Sequence, residues 1–202
     1  MGDYKRVTRV RKFHYSEDTN GQVLRRISKQ YKKRINLTAR RKEKNDQDYS
    51  FEYRMSYPRF EGGNDAVLEY VRPGRTTKVE RFLYYANSAV NDRYSPFAML
   101  GGRRRQYTLI PAEPKFSHFR TTRKREVNMG TLRENDTEYK LLERVTQDIL
   151  SQDERGLIRM YTYYEPCLSC DYVMIQFINM YPNIKIDVYY EEDYKPEEKG
   201  LI

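Results

Sequence analysis

Tryptophan, cysteine and histidine are nearly missing from this sequence of 202 residues, which has no Trp, two Cys and two His. Two cysteines cannot form the several disulfide bonds that hold small secreted scaffolds together, so that class of protein is excluded. Long apolar runs are missing as well. The sequence contains no run of about 18 apolar residues, the length needed to span a bilayer. The first thirty residues are too charged for the apolar core of a signal peptide. We therefore expect a soluble protein with no membrane partner.

Positive charge, by contrast, is in excess. Lys and Arg number 38 and Asp and Glu 29, which gives a formal net charge of +9 at pH 7. This balance favours a polyanionic partner, because basic side chains that neutralise phosphates release condensed counterions. A basic surface kept for solubility is the alternative explanation.

The charge is concentrated near the N-terminus and divides the chain into two parts. We predict that residues 1–60 form a basic N-terminal extension and residues 61–202 one catalytic domain, a length that suffices for a substantial core. Within the extension, Val23, Leu24, Ile27 and Tyr31 recur at helical spacing, which predicts one amphipathic helix near 21–35.

The middle of the chain begins with the pattern of a β-hairpin. Two runs rich in β-branched and aromatic residues, 66–71 and 79–85, flank the turn residues 72–75. We expect mostly loop over 87–133, a segment with two basic clusters. A loop of this length in a compact domain is more often functional than idle.

The last third alternates between helical and extended patterns. This order of elements predicts an α/β layered fold, followed by a frayed acidic tail over 191–199. The predicted segments are helices at 137–150 and 167–181 and strands at 157–163 and 184–190.

Both cysteines belong to one Cys-x-x-Cys motif, Cys167 and Cys170, which follows Pro166 where a strand leads into a helix. A helix N-terminus favours the thiolate, so we expect lowered thiol pKa values there. The spacing suits two ligands of a tetrahedral zinc ion, and it also suits a redox-active thiol pair.

An acidic pair begins the preceding helix. Glu138 shares a helix face with the apolar Leu141 and Leu142, so its carboxylate is predicted to point inward, and Asp136 is a candidate third ligand. The alternative is that Asp136 caps the helix and Glu138 only complements its dipole. His118 is another possible ligand, and His14 a weaker one.

Together these motifs resemble the zinc-dependent cytidine deaminase superfamily, whose signature is H-x-E followed by P-C-x-x-C. The similarity is greatest to the deaminase domains of bacterial polymorphic toxins and covers roughly residues 62–190. Asp136 stands where the superfamily has His, a substitution also expected in this toxin subgroup. The segments that carry the resemblance are 63–69, 136–143, 156–161, 165–170 and 176–188.

The resemblance implies a cytidine-deaminase-like three-layer α/β fold, with a mixed β-sheet flanked by helices and the basic extension before it. It implies that Asp136, Cys167 and Cys170 hold Zn²⁺ and that Glu138 is the catalytic proton carrier. It further implies that Asn64 and the backbone of Thr137 contact the base.

Other residues near these motifs are candidates for holding a nucleic-acid chain. Tyr164 could stack on a base, and Arg103, Arg120 and Arg123 could follow a phosphate backbone. We expect single-stranded DNA, or RNA, as the partner, because an unpaired base needs no flipping from a duplex. A toxin would act in the cytoplasm of the target bacterial cell and would have a cognate immunity protein.

Three alternatives to this function stay open at this point. The deaminase could act on RNA or duplex DNA. The Cys-x-x-Cys motif could instead belong to a thiol-disulfide oxidoreductase, although Glu138 on the apolar face would then be unexplained. A non-enzymatic nucleic-acid-binding module with structural zinc would need four protein ligands, for which only the two histidines are spare.

Overall fold

The fold is built on one five-stranded mixed β-sheet with helices on both faces. The computed structural model describes residues 9–45, 63–74, 78–95, 97–98, 107–122 and 125–193. The helices are α1 (Thr19–Asn45), α2 (Thr137–Val145) and α3 (Leu168–Met180). The strands are β1 (Val10–His14), β2 (Asp65–Pro73), β3 (Val79–Asn87), β4 (Arg120–Thr121), β5 (Thr131–Leu132), β6 (Gly156–Tyr164) and β7 (Ile184–Glu192).

The order of strands in the sheet is β1-β7-β6-β2-β3. β2 pairs antiparallel with both β3 and β6, and β7 pairs parallel with both β6 and β1. Parallel neighbours need a crossover connection, and α3 supplies it between β6 and β7. The C-terminal ends of β6 and β7 therefore meet the N-terminal end of β2 at one edge of the sheet.

The two faces of the sheet bury different cores, because successive side chains of a strand point to opposite faces. On one face, α1 packs through Leu24, Tyr31 and Ile35. On the other face, α2 and α3 pack through residues such as Leu142 and Phe177. The arrangement is helix, sheet and helices in three layers, which confirms the predicted fold class.

The predicted elements of residues 61–193 are present, with different bounds. The β2–β3 hairpin and the strands β6 and β7 are longer than predicted. Helix α2 ends at Val145 instead of residue 150, where the Thr146 hydroxyl donates to the carbonyl of Glu143 and thereby competes with helix propagation. The expected loop 87–133 contains the short ribbon of β4 and β5.

The expectation of a frayed tail from residue 191 is wrong for its first two residues. Glu191 and Glu192 end β7, and the Glu191 carboxylate accepts hydrogen bonds from Arg25, Lys29 and the Tyr161 hydroxyl. These partners lie far away in the sequence, so the acidic composition of residues 191–199 alone does not predict that Glu191 is paired.

The N-terminal part, predicted as a basic and partly helical extension, contributes one strand and one helix to the main fold. β1 is an edge strand of the main sheet, where Arg11 makes two hydrogen bonds of 2.8 Å with the Asp187 carboxylate. α1 has 27 residues and packs against β2, β6 and β7 on one face of the sheet. The predicted boundary at 60/61 lies outside the described residues and stays a prediction.

The helices in the described part of the chain include none that is both long and apolar enough to traverse a bilayer.

Candidate metal and catalytic site

The starts of α2 and α3 lie together beside the C-terminal end of β6. Asp136 is the N-cap residue of α2 and Cys167 that of α3, and both have extended backbone conformations. The Cys167 sulfur accepts a hydrogen bond from the backbone N–H of Cys170, which satisfies a donor that the first helical turn leaves free. The Asp136 side chain makes no such capping hydrogen bond, and the two N-cap positions bring the side chains of two helices together.

Three ligand atoms converge there. The Oδ2 atom of Asp136 lies 3.2 Å from the Sγ atoms of both Cys167 and Cys170, and the two sulfurs are 3.4 Å apart. Among the described residues, these three are the metal-binding side chains (His, Cys, Asp or Glu) that lie close enough together to share one ion. Their ligand atoms all lie within 4.8 Å of one another. Both cysteines are buried and unbridged.

The dimensions and chemistry of this cluster fit zinc. Zn–S bonds of about 2.3 Å and Zn–O bonds of about 2.1 Å at tetrahedral angles put two sulfurs about 3.8 Å apart and sulfur and oxygen about 3.6 Å apart. The observed edges are only a few tenths of an ångström shorter. Two thiolates and a carboxylate are three protein ligands, the number typical of catalytic zinc sites.

The protein itself makes this cluster electrostatically unfavourable. Its hydrogen bond with Cys167, its burial and the carboxylates of Glu138 and Asp136 raise the pKa of Cys170 well above its ordinary value. The prediction of a lowered thiol pKa is therefore wrong for Cys170, because burial and acidic neighbours outweigh the helix N-terminus. Arg133, at 3.9 Å from Asp136 Oδ1, is the nearby basic partner. A divalent cation would compensate the remaining negative charge.

Glu138 lies beside the cluster and is 3% exposed, as its place on the apolar helix face indicates. Its Oε2 atom is 3.7 Å from Cys170 Sγ. Burial, and secondarily the charge of Asp136, raise the pKa of Glu138, while hydrogen bonds from Thr162 and Thr137 oppose that rise. A carboxyl group with a raised pKa next to a metal site is suited to accept and return protons near neutral pH.

A closed hydrogen-bond network holds Glu138 in place. Asn64 Nδ2 donates to the hydroxyls of Thr137 and Thr162, at 3.0 and 2.8 Å. Each hydroxyl in turn donates to one carboxylate oxygen, Thr137 to Oε2 at 3.0 Å and Thr162 to Oε1 at 2.8 Å. Since the amide supplies a proton to each hydroxyl oxygen, both hydroxyl protons are directed toward Glu138.

Asn64, predicted to contact the base, is thus a member of this network. Its Oδ1 atom also accepts from the backbone N–H of Tyr163, at 3.1 Å. Thr137 is fully buried, and its side chain serves the same network. The structure brings both residues to the cluster, and their contact with a base stays a prediction.

Of the four side chains predicted to contact a nucleic-acid backbone or base, the structure describes two, and both are exposed. Tyr164 is 43% exposed at the end of β6, edge-to-face with Tyr163. Arg120 is exposed on the β4–β5 ribbon, which is tied to the start of α3 by a hydrogen bond from the Phe119 N–H to Ser169 Oγ. Arg103 and Arg123 lie outside the described residues.

Neither histidine belongs to the three-residue cluster within the described residues. The His118 ring packs against Tyr139 at 4.9 Å between centroids. His14 lies at the end of β1 and contacts Ser16 Oγ at 2.7 Å.

Sequence reasoning missed Thr162, Lys140 and Arg133. Thr162 is a polar residue at an inward position of a buried strand, and that exception to the strand pattern was the available signal. Lys140 is fully buried in α2, and its Nζ donates to Asn87 O, Val90 O and Asn91 Oδ1 at 2.7 to 2.9 Å. The residues three and four positions away on either side of it are polar, so no local pattern marks this lysine as buried.

The geometry argues against the two rival site types. Reactive redox cysteines usually have a basic neighbour that stabilises the thiolate, whereas Cys170 faces two carboxylates. A closed structural zinc site needs a fourth protein ligand, and the described part of the chain offers three. The cluster is therefore suited to a metal with an open position next to a proton carrier.

Comparison with known proteins agrees with this geometry. The model of the toxin-deaminase family, described as the BURPS668_1122 family of deaminases, matches residues 28–192. The match begins inside α1 and includes both helix starts and every residue of the Glu138 network. No curated protein matches the sequence significantly.

Proposed function

Because this chain belongs to the BURPS668_1122 family of toxin deaminases, we propose that it is a zinc-dependent deaminase that converts cytosine to uracil in single-stranded DNA. The observation that carries the proposal is the position of Glu138, whose Oε2 atom lies 3.7 Å from Cys170 in the cluster of Asp136, Cys167 and Cys170. The reaction consumes one water and releases ammonia, so it needs a group that moves protons between water and base.

The metal ligands and the proton carrier have separate tasks. Asp136, Cys167 and Cys170 would hold the zinc ion, whose chemistry is to lower the pKa of water so that hydroxide is available near neutral pH. Glu138 accepts the proton from water at Oε2, the oxygen that faces the cluster. It then protonates N3 of cytosine, takes the second proton from the hydroxyl group that has added to C4, and passes that proton to the amino group, which leaves as ammonia.

The protein prepares Glu138 for this task by fixing its orientation. The Thr162 hydroxyl holds Oε1 and the Thr137 hydroxyl holds Oε2, so the carboxylate does not have to search for a productive rotamer. Burial excludes bulk water from the carboxylate and keeps its pKa above the ordinary range.

Single-stranded DNA is proposed as the substrate on physical grounds. The net charge of +9 favours a polyphosphate. An unpaired base enters a site without the cost of a few kcal/mol for unstacking and unpairing. As a toxin, the protein would act in the cytoplasm of a target bacterium, and a cognate immunity protein would cover the site.

The direct test incubates the purified protein with single-stranded DNA, duplex DNA and RNA of one sequence and measures C-to-U conversion by sequencing. We expect conversion first in single-stranded DNA. Glu138→Gln should abolish conversion and keep the metal, because glutamine cannot move protons but fills the same space. If only RNA or only duplex DNA is converted, the proposed substrate is wrong and that nucleic acid is the substrate. If none of the three is converted, the deaminase proposal is refuted.

A further inference from the structure

A line of basic side chains follows the solvent-facing side of α1 and has no part in the chemistry proposed above. Arg26, Lys29, Lys33 and Arg40 are all exposed, and their spacing of three, four and seven residues places them on one helix face. We call these four residues the basic stripe. At 1.5 Å per residue it is about 21 Å long. No acidic residue occurs between Thr19 and Arg41.

The stripe borders a groove of about 570 Å³. Its lining is cationic and polar: four basic side chains of α1 together with Tyr15, Ser16, Gln22 and Gln30. The guanidinium group of Arg25 lies 4.4 Å from the centre of the Tyr15 ring, which also lines the groove. Basic, hydroxyl and amide side chains are the groups that contact phosphate oxygens in protein complexes with nucleic acids.

Part of this charge is already neutralised inside the protein, and part is not. Arg25 and Lys29 share the carboxylate of Glu191, at 2.6 and 3.1 Å. Within the portion of the chain that the structure describes, Arg26 and Lys33 make no ion pair. Two exposed cations on one face are therefore free for an external anion, and the groove keeps a net positive charge.

The groove and the Glu138 site lie at the same edge of the sheet. Glu191, which holds Arg25 and Lys29, is adjacent to Glu192, and Glu192 is the register partner of Tyr164 at the end of β6. On the other side, Lys32 of α1 pairs at 2.6 Å with Asp65, the neighbour of Asn64. A flexible chain could thus pass from the α1 face over the sheet edge to the site.

We propose that the basic stripe binds the phosphate backbone of the single-stranded nucleic acid on one side of the target base. This proposal rests on the proposed function, because it assigns the nucleotides next to the target base to the basic stripe, a surface separate from the Glu138 site. An acidic protein is the competing occupant. Protein interfaces have an apolar or aromatic centre, and Tyr15 is the one aromatic residue of this groove.

Binding of cytosine-free oligonucleotides tests the proposal apart from catalysis. Fluorescence anisotropy with labelled oligo(dT) and oligo(U) over about 0.05 to 0.3 M salt gives Kd and its salt dependence for DNA and RNA. The test variant is Arg26→Gln combined with Lys33→Gln. The matched control is Arg155→Gln combined with Lys185→Gln, which removes two exposed charges next to the starts of β6 and β7, at the opposite edge of the sheet.

Loss of two phosphate contacts should lower the slope of log Kd against log salt by about 1.4 and raise Kd about 25-fold at 0.1 M salt, while the control changes Kd less than about threefold. Equal weakening in both variants, or no change in either, would overturn the proposal. A labelled poly-L-glutamate that binds more tightly than the oligonucleotides, and loses more affinity in the test variant, would assign the groove to an acidic protein.

The outcome for binding is independent of the outcome for chemistry. If deamination occurs but the stripe variant binds normally, the enzyme stands and this surface is wrong. If the stripe variant loses binding but the wild type converts no cytosine, the surface stands and the deaminase proposal fails. Circular dichroism of both variants checks that the fold is retained.

Discussion

Replacing Thr162 with valine tests whether the hydroxyl at the end of β6 sets the position of Glu138. Thr162 is fully buried, accepts from Asn64 Nδ2 at 2.8 Å and donates to Glu138 Oε1 at 2.8 Å. Valine has nearly the same shape but can neither donate nor accept. The substitution therefore removes one hydrogen bond to the carboxylate and leaves an amide N–H of Asn64 without its partner.

The size of the effect follows from the kind of bond removed. A hydrogen bond to a charged group contributes about 1.5–3 kcal/mol. If that energy is used to hold Glu138 in its working orientation, its loss lowers kcat by about 10- to 100-fold, at about 1.4 kcal/mol per factor of ten. KM should change little, because Thr162 contacts Oε1, and the oxygen that faces the cluster of Asp136, Cys167 and Cys170 is Oε2. Zinc content should be unchanged for the same reason.

The assay measures kcat, KM and bound zinc for wild type, Thr162→Val and Thr162→Ser. Serine keeps the hydroxyl and should restore most of the activity. The matched control is Thr146→Val, a buried hydroxyl that donates to Glu143 O at the far end of α2, about 12 Å from Glu138 along the helix axis. It should keep kcat within about twofold. A kcat of Thr162→Val near that of wild type, or a loss of zinc in this variant, would refute the reasoning.

Three further predictions concern metal, stability and pH. Purified protein should carry about one zinc per chain by elemental analysis, and Cys170→Ala should lose most of it while Glu138→Gln keeps it. Lys140→Met should lower the free energy of unfolding by about 3 kcal/mol in urea titrations, because two buried carbonyl groups and the side chain of Asn91 lose their donor. The exposed control Lys185→Met should change it by less than about 0.5 kcal/mol. The hydrogen bonds from Arg25, and then from Tyr161 and Lys29, lower the pKa of Glu191 to about 2. Because this folded-state pKa lies below the ordinary value, ionised Glu191 stabilises the folded protein above about pH 4.5, and this stabilisation is lost as the pH falls toward 2. Glu191→Gln should therefore be less stable than wild type at pH 7 by about 1–2 kcal/mol, a value reduced for partial solvent screening, and the difference should shrink between about pH 5 and pH 3. A difference independent of pH would show that the ion pairs are not its source.

Local patterns were sufficient for the elements that carry the site. The β-branched and aromatic content of residues 66–71 and the helical spacing around Glu138 depend on neighbours within a few positions, so strands, helices and the inward direction of Glu138 follow from the sequence. The Cys-x-x-Cys spacing likewise places both sulfurs on one helical turn. These are short-range consequences of backbone geometry, and the structure contains them with changes only at their ends.

Only the tertiary structure decided which distant residues meet. Asn64 reaches Thr162, 98 positions away, because β2 pairs with β6 in the register that sets Ala66 opposite Thr162. Arg11 reaches Asp187, 176 positions away, because β1 adds to the edge of β7. Strand order and register are selected by the packing of both sheet faces at once, and no local periodicity encodes them. The sequence by itself determined the candidate groups at the starts of α2 and α3, and the pairing of the sheet determined the network that holds Glu138 beside the cluster of Asp136, Cys167 and Cys170.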